Sequence, residues 1–170
     1  RTDILQWIDV SKHIYGDSIN MVLHGISMGA ATIMMVSGEE LPTNVKSFVA
    51  DCGYTSVWDE FSYNLKHDFG LPNFPLMYTT SLYCQWQEGW SFKEASALDK
   101  IKQSKKPMFF IHSDADTYVP IEMAYRLYEA KPGQKELWIL PGVKHAKAYW
   151  KHTDEYVQRT TDFVTKYMAE

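Results

Sequence analysis

The sequence predicts an α/β protein in which a mostly parallel sheet is flanked by helices. Short, continuous apolar runs bounded by proline and polar residues recur along the chain, and such runs are typical of strands buried on both faces. Segments with helical spacing lie between them, which is the alternation that parallel sheets show. Four strands are predicted, near residues 18–24, 45–51, 106–112 and 135–140.

The first strand leads directly into the pentapeptide Gly25-Ile26-Ser27-Met28-Gly29, and the residues after it favour a helix. A serine on a sharp turn from strand to helix has a strained backbone, and glycines on either side let the two elements approach without a clash. The turn also aims the Met28 N–H at the place where an oxyanion would form. This pattern predicts Ser27 as a nucleophile, although a glycine-rich turn without chemistry is the alternative.

Two carboxylates, Asp114 and Asp116, follow the third predicted strand. Catalytic acids of open α/β sheets lie just past the carboxyl end of a strand, so both positions qualify. A divalent-metal site that combines His112 with these two acids would need a second ligand cluster with suitable spacing. The sequence offers none, so no metal is predicted.

His145 lies on the loop after the last predicted strand. From that loop an imidazole can reach a serine as general base while an acid accepts a hydrogen bond from its other ring nitrogen. A plain surface histidine is the alternative. His152 is a competitor, but its place beside the start of the C-terminal helix suits capping and solvent contact better.

Four segments together resemble the α/β-hydrolase superfamily: residues 23–30, 50–56, 110–120 and 141–146. The nearer likeness is to its bacterial serine-hydrolase branch, related to the prolyl-oligopeptidase and dienelactone-hydrolase-like groups. The resemblance implies a triad of Ser27, Asp116 and His145 in that chain order. Asp116 is chosen as the acid because Asp-x-x-Val-Pro matches the family's loop before the next helix, which is 121–129 in this chain. Asp114 is then expected to be a turn residue that satisfies local N–H groups. The resemblance also implies hydrolysis through an acyl-enzyme, without a metal or organic cofactor.

The resemblance further implies that residues 1–170 are the C-terminal part of one hydrolase domain. Such a domain runs to roughly 200 to 300 residues and begins with several strands, whereas this chain opens with a helical pattern of Ile4, Trp7, Ile8 and Ser11. The missing N-terminal portion is therefore an expected partner and the expected source of a second oxyanion donor. Without it the first strand would be an exposed edge, so we expect the isolated chain to be unstable or inactive.

A long segment rich in aromatic residues, about 54–104, separates the second and third strands. A stretch of this length without structure is implausible in a compact domain, so helices are predicted over 56–67 and after Pro75. The family places a cap over the active site here. Most of the aromatic side chains are expected to form the core of the cap, while Tyr54 and Trp58 are predicted to line an apolar substrate pocket.

Composition excludes several classes of function. The net charge is −4, from 17 basic and 21 acidic residues, which offers no basic patch for nucleic acid. No apolar run approaches the roughly 20 residues of a membrane span. Cys52 and Cys84 are too few for a disulfide framework, which favours a reducing compartment. A cytoplasmic location is predicted, although a signal or anchor could lie in the missing N-terminus.

The sequence thus predicts a serine hydrolase that cleaves carboxylic esters of small to medium size. Ser27 attacks the acyl carbonyl, His145 transfers the proton, Asp116 orients His145, and the Met28 N–H holds the oxyanion. A peptidase or acylaminoacyl-type amide hydrolase is one alternative. A binding protein on a hydrolase scaffold is another, and the intact triad argues against it.

Overall fold

The computed structural model describes residues 1–168 and forms a four-stranded parallel sheet with helices on both faces. Strands β1 to β4 span Met21–Ile26, Val45–Asp51, Met108–Ser113 and Lys135–Leu140 and lie in the order β1-β2-β3-β4. Helices α1 to α8 span Thr2–Tyr15, Met28–Ser37, Val57–Phe69, Leu76–Glu88, Ala97–Ile101, Ile121–Ala130, Ala148–Lys151 and Thr153–Met168. The predicted α/β class is confirmed.

The two central strands, β2 and β3, are apolar on both faces because helices cover both sides of the sheet. Successive side chains of a strand point to opposite faces. Phe48 and Phe110 therefore join one core, with residues of α2, α5 and α6, while Val49 and Phe109 join the other, with residues of α8. Every residue of β3 is buried, as the continuous apolar run predicts.

Strand β1 begins later than predicted and runs further. The Asn44 side-chain amide donates hydrogen bonds to the carbonyl oxygens of Asp17, at 2.6 Å, and Ile19, at 2.8 Å. These bonds hold residues 17–20 outside the strand. The strand then continues to Ile26, so it delivers the chain directly to Ser27 at the carboxyl edge of the sheet.

The predicted helices after β2 are confirmed and have clear end signals. Helix α3 begins after Ser56, whose Oγ accepts a hydrogen bond from the Asp59 N–H at 2.9 Å. It ends at Gly70, which has φ of +65° and is a left-handed cap that favours glycine. Helix α4 begins directly after Pro75, as predicted.

The expectation that the aromatic side chains of this segment form their own core is wrong. Phe69, Phe74, Tyr83 and Trp86 are 60 to 77% exposed. Helices α3 and α4 meet over only a short stretch, and two helices that touch so little cannot enclose side chains of this size. Phe92 and Tyr54 are buried, but both join the core beneath the sheet.

The first and last helices pack on opposite faces of the sheet. In α1 the buried side chain is Ile8, with Ile4 and Leu5 beside it, whereas Trp7 of the predicted helical pattern points to solvent. In α8 the side chains of Tyr156, Phe163 and Tyr167 are buried and join the core on the other face. No helix within residues 1–168 combines the length and apolar character that crossing a membrane requires.

Strand β1 forms one edge of the sheet, and within residues 1–168 its outer side has no strand partner. Ile26 and Met28, at the carboxyl end of this edge, are 45 and 70% exposed. An apolar edge of this kind pairs readily with another chain. We expect the 170-residue chain alone to associate, so its size-exclusion elution should move to larger sizes as the concentration rises. A monomer at every concentration would contradict this expectation.

Candidate active site

Ser27 lies on the tight turn between β1 and α2. Its backbone has φ of 54° and ψ of −117°, a conformation that residues other than glycine rarely adopt. The turn is fixed at both ends, since the Ser27 N–H donates to the Asp51 carbonyl at 2.8 Å and the Ser27 carbonyl accepts from the Ala31 N–H at 3.0 Å. The geometry is that of the predicted nucleophile elbow.

The two glycines that flank this turn differ in what surrounds them. A Cβ added to Gly25 would lie 2.4 Å from the carbonyl carbon and oxygen of Gly29, which is closer than atoms can approach. A Cβ added to Gly29 would meet no atom within 4 Å. The expectation that both glycines prevent a clash therefore holds for Gly25 and fails for Gly29.

This contrast predicts different effects of alanine at the two positions. Gly25→Ala should lower the free energy of unfolding by about 3 kcal/mol, because the backbone of α2 must move away from the new methyl group. Gly29→Ala should leave stability unchanged or raise it slightly, since alanine favours a helix more than glycine does. Urea unfolding of both variants measures this, and equal losses would contradict it.

Ser27, His145 and Asp116 are joined by a chain of hydrogen bonds. His145 Nε2 lies 2.8 Å from Ser27 Oγ, and His145 Nδ1 lies 2.7 Å from Asp116 Oδ2. An ionised carboxylate can only accept, so the Nδ1 carries the proton that it donates to Asp116. The Nε2 is then the acceptor for the serine hydroxyl, which is the tautomer a general base requires.

The carboxylate of Asp116 is held rigidly behind the imidazole. Its second oxygen accepts hydrogen bonds from the N–H groups of Tyr118, at 3.0 Å, and Val119, at 2.9 Å. The Nε2 of buried His112 is bonded to the Val119 carbonyl at 2.9 Å. Burial lowers the pKa of His112, so this imidazole is neutral and donates through Nε2–H. The loop is therefore fixed before any substrate binds.

Asp114 has a different role from the local turn contact that we expected. Its Oδ1 accepts a hydrogen bond at 2.7 Å from the N–H of Gly142, which lies on the loop that carries His145. Asp114 thus joins the two loops that supply the acid and the base. Among the residues that the structure describes, the ligand atoms of His112, Asp114 and Asp116 do not form a cluster of the size that a metal ion requires.

Met28 is the first residue of α2, so its N–H has no carbonyl partner within the helix. It follows Ser27 directly and lies at the positive end of the helix dipole. This position is suited to an oxyanion that forms beside Ser27.

The two predicted pocket residues make packing contacts. Tyr54 is 8% exposed and belongs to the core, while Trp58 packs edge to face on Tyr78 at 5.1 Å and under the Lys93 ammonium at 4.6 Å. Their role in substrate binding stays a prediction. Tyr118, which sequence reasoning missed, is 49% exposed, and its ring lies 4.9 Å from that of His145. Its place two residues after Asp116 is the only signal the sequence holds for it.

Asp51 closes the carboxyl end of β2 behind the candidate triad. Its Oδ2 accepts a hydrogen bond from the Tyr156 hydroxyl at 3.0 Å, and that hydroxyl lies 2.8 Å from His24 Nε2. Burial raises the pKa of Asp51 to about 6. Because its main-chain carbonyl also binds the Ser27 N–H, Asp51 orders the elbow.

Two cavities differ in their distance from this chemistry. A groove of about 550 Å³ lies along α3 and the turn after it, and none of the predicted site residues lines it. A much smaller cavity, of about 10 Å³, lies directly against Asp116, and Asp51, Cys52 and His112 are also among its walls. Of the candidate triad, Asp116 lines the small cavity, and none of the three residues lines the groove.

Glu60 is a buried acid on α3, near enough to Asp116 and His145 for their charges to act on it. Its Oε1 accepts a hydrogen bond from the Asn64 side chain at 2.8 Å, whereas its Oε2 is buried without a partner. Burial raises the pKa of Glu60 to about 7, from an ordinary value of 4.5. Folding therefore favours the neutral acid, and the folded state loses stability as the pH rises from about 4.5 to about 7.

Glu60→Gln should remove the loss of stability that ionisation of the buried Glu60 carboxyl causes. Because glutamine carries no charge, we expect the variant to exceed the wild type in free energy of unfolding by about 2 to 3 kcal/mol at pH 8, and by much less at pH 5. Urea unfolding at the two pH values measures the difference. Glu88→Gln, which changes an exposed acid on α4, is the control. The same gain at both pH values would contradict the burial of a raised-pKa carboxyl.

Comparisons with known proteins agree with this architecture. Residues 2–170 match the model of the prolyl oligopeptidase family. An uncharacterized protein of Bacillus subtilis (strain 168), YqkD, is 32% identical over 142 residues, which cover 84% of this chain and 47% of that protein. The chain thus spans about half the length of this curated relative.

Solved structures show the same fold. An esterase of Pyrococcus furiosus, Pf2001, superposes with a TM-score of 0.73 at 23% identity, over 98% of this chain and 61% of that one. An acylaminoacyl peptidase of Pyrococcus horikoshii superposes with a TM-score of 0.70 at 16% identity, over 99% of this chain and 27% of that one. With the family match over nearly the whole sequence, these findings identify the chain as a member of the prolyl oligopeptidase family, within the α/β-hydrolase superfamily.

Proposed function

We propose that the protein is a serine hydrolase that cleaves carboxylic esters of small to medium size through an acyl-enzyme. The observation that carries this proposal is the continuous hydrogen-bond chain from Ser27 Oγ through His145 to Asp116, with links of 2.8 and 2.7 Å. Nucleophile, base and orienting acid within hydrogen-bond reach are what activation of a serine requires.

The geometry supports a reaction in two halves. Ser27 Oγ bonds to the acyl carbon while its proton passes to His145 Nε2, and the negative charge that develops on the carbonyl oxygen lies near the Met28 N–H. His145 then returns the proton to the leaving alcohol, and the ester bond to that alcohol breaks. Water then bonds to the acyl carbon while it loses a proton to His145, the bond to Ser27 Oγ breaks, and His145 returns that proton to Ser27 as the acid leaves. Asp116 stabilises the imidazolium in both halves.

The rest of the protein enters the proposal as a partner. Since the chain spans 47% of its curated relative, we propose that it works as the C-terminal part of one hydrolase domain, with residues 54–104 as a cap insertion. The N-terminal portion then covers β1 and supplies a second oxyanion donor. We also propose a cytoplasmic location, because Cys52 and Cys84 are both free and thiols stay reduced in the cytoplasm.

A peptidase of the acylaminoacyl type is the second candidate. Its support is the family match and the likeness to the acylaminoacyl peptidase. The ester proposal is favoured because the esterase superposes at the higher identity, 23% against 16%, and with the slightly higher TM-score, 0.73 against 0.70.

A pair of substrates with the same acyl group tests the choice between them. We expect the p-nitrophenyl ester to be hydrolysed with a kcat/KM at least about 100-fold above that of the p-nitroanilide, beyond the difference seen for a chymotrypsin-like standard. A larger kcat/KM for the anilide favours the peptidase. Hydrolysis of neither substrate, with the protein folded, favours a binding protein on a hydrolase scaffold.

A further inference from the structure

The thiol of Cys52 lies among the groups that form the candidate triad. One ligand atom each from Cys52, Asp116 and His145 lies within 4.8 Å of the other two. A thiolate sulfur, an imidazole nitrogen and a carboxylate oxygen are the three ligand types that zinc binds in proteins. Cys52 has no part in the hydrolytic steps proposed above.

The separations suit a tetrahedral ion. Zinc bonds of about 2.0 to 2.3 Å place neighbouring ligand atoms roughly 3.3 to 3.7 Å apart. His145 Nδ1 and Asp116 Oδ2 are closer than this, at 2.7 Å, while the cluster as a whole extends to no more than 4.8 Å. Movements of about 1 Å would therefore bring the three atoms to bonding distance, and the cavity of about 10 Å³ against Cys52 and Asp116 gives them room.

The charges around the cluster favour a cation. Asp51 and Asp116 both line the small cavity, and the charge of the Asp51 carboxylate acts on the Cys52 thiol. Lys144 also borders this cavity, but it is an exposed residue. The main local charges that face a bound ion are thus negative.

The thiol is protonated before an ion binds. Burial raises the pKa of the Cys52 thiol, and the nearby charge of Asp51 raises it further. A soft ion must therefore displace the thiol proton to solvent, as it does at other cysteine sites. The Nδ1 proton of His145 moves to Nε2, so the metal-bound imidazole stays neutral and its Nε2 now donates instead of accepting. No atom is oxidised or reduced.

Access to the cluster is past His145. Cys52 is 3% exposed, whereas the His145 side chain is 21% exposed and is the most accessible of the three. An ion that enters here takes the place of the proton between His145 and Asp116. The imidazole is then no longer available as a base for Ser27.

We propose that Cys52, Asp116 and His145 form a binding site for a soft divalent cation of the zinc class, and that an ion bound there inhibits the enzyme. Three protein ligands leave a fourth position for water. Inhibition rests on the proposed hydrolase function, whereas binding of the ion does not.

Zinc titration of the full chain tests the site in two independent ways. Calorimetry without substrate measures binding, and hydrolysis of a chromogenic ester measures inhibition relative to the rate of each variant without metal. Cys52→Ala should weaken both binding and inhibition at least tenfold. Cys84→Ala changes the other free cysteine, which lies on α4, and should behave as the wild type. Magnesium, which prefers oxygen ligands, should have neither effect.

Zinc binding of equal strength in the wild type and Cys52→Ala would overturn the proposal, as would its loss in Cys84→Ala. Circular dichroism checks that each variant folds, and Cys52→Ser provides a second variant if Cys52→Ala does not. Binding that depends on Cys52 in a protein without ester hydrolysis would support the metal site and refute the proposed function. Ester hydrolysis without zinc binding would support the proposed function and refute the metal site.

Discussion

Replacing Ser27 with alanine should lower kcat/KM for a carboxylic ester by at least about 10⁴-fold, which corresponds to about 5 kcal/mol of transition-state stabilisation. The loss is large because Ser27 Oγ, at 2.8 Å from His145 Nε2, is the nucleophile whose proton this base accepts. Without the Ser27 hydroxyl, His145 and Asp116 no longer accelerate the reaction, since the residues of such a unit act together. Initial rates over a range of ester concentrations give the ratio.

An exposed serine provides the matched control for this change. Ser18 lies on the turn before β1 and points to solvent, so Ser18→Ala should keep kcat/KM within about twofold of the wild type, as surface substitutions do. If Ser27→Ala kept more than a tenth of the wild-type activity, the assignment of the nucleophile would be wrong.

Asp116→Asn should give the second largest effect, a fall in kcat of about 10³ to 10⁴-fold. The asparagine carbonyl can still accept from the N–H groups of Tyr118 and Val119, so the loop keeps its shape. The side chain can no longer stabilise the imidazolium as an anion, and its amide favours the wrong tautomer of His145. Steady-state kinetics measures the loss, and thermal unfolding shows that the variant is folded.

Asp114→Asn removes a negative charge from the same loop after β3, so it distinguishes the role of Asp116 beside His145 from a general effect of charge. Asparagine can still accept the hydrogen bond from the Gly142 N–H, so the contact between the two loops persists. We expect kcat to fall less than about tenfold, as for the loss of a positioning charge without a direct role. A larger loss for Asp114→Asn than for Asp116→Asn would reverse the assignment of the acid.

Local pattern was sufficient to predict most of the fold. The apolar runs at β2, β3 and β4 place the strands within about two residues of their observed ends, because a strand covered on both faces leaves a continuous apolar signal. The helix after Pro75 and the helix after Ser56 also follow local signals. The start of β1 does not, since the Asn44 side chain, 25 and 27 residues later, binds the carbonyl oxygens of Ile19 and Asp17 outside the strand.

Sequence reasoning failed where long-range contacts decide the outcome. The partner of Asp114 is on another loop, 28 residues away. The aromatic side chains of α3 and α4 stay exposed because the two helices barely meet. Gly29 has open space around it although it belongs to the motif, whereas Gly25 is essential for the close approach of β1 and α2.

In the candidate site, too, the sequence predicted some features, while others depend on long-range contacts. Ser27, Asp116 and His145 each follow a strand, and the carboxyl ends of parallel strands meet at one edge of the sheet, so chain order alone predicted their meeting. Tyr118 and Cys52 carry no spacing signal. Their closeness to His145 emerges only when the loops after β2, β3 and β4 fold against one another.

The central claim is that Ser27 is an activated nucleophile, and covalent labelling tests it most directly. A fluorophosphonate probe, which reacts with activated serines, should modify the wild type once, and peptide mapping by mass spectrometry should place the adduct on Ser27. The probe should not label Ser27→Ala, and it should label His145→Ala at least about 100-fold more slowly because the hydroxyl then lacks its base. With the N-terminal portion present, a folded wild type that is not labelled, or equal labelling of Ser27→Ala, would contradict the account.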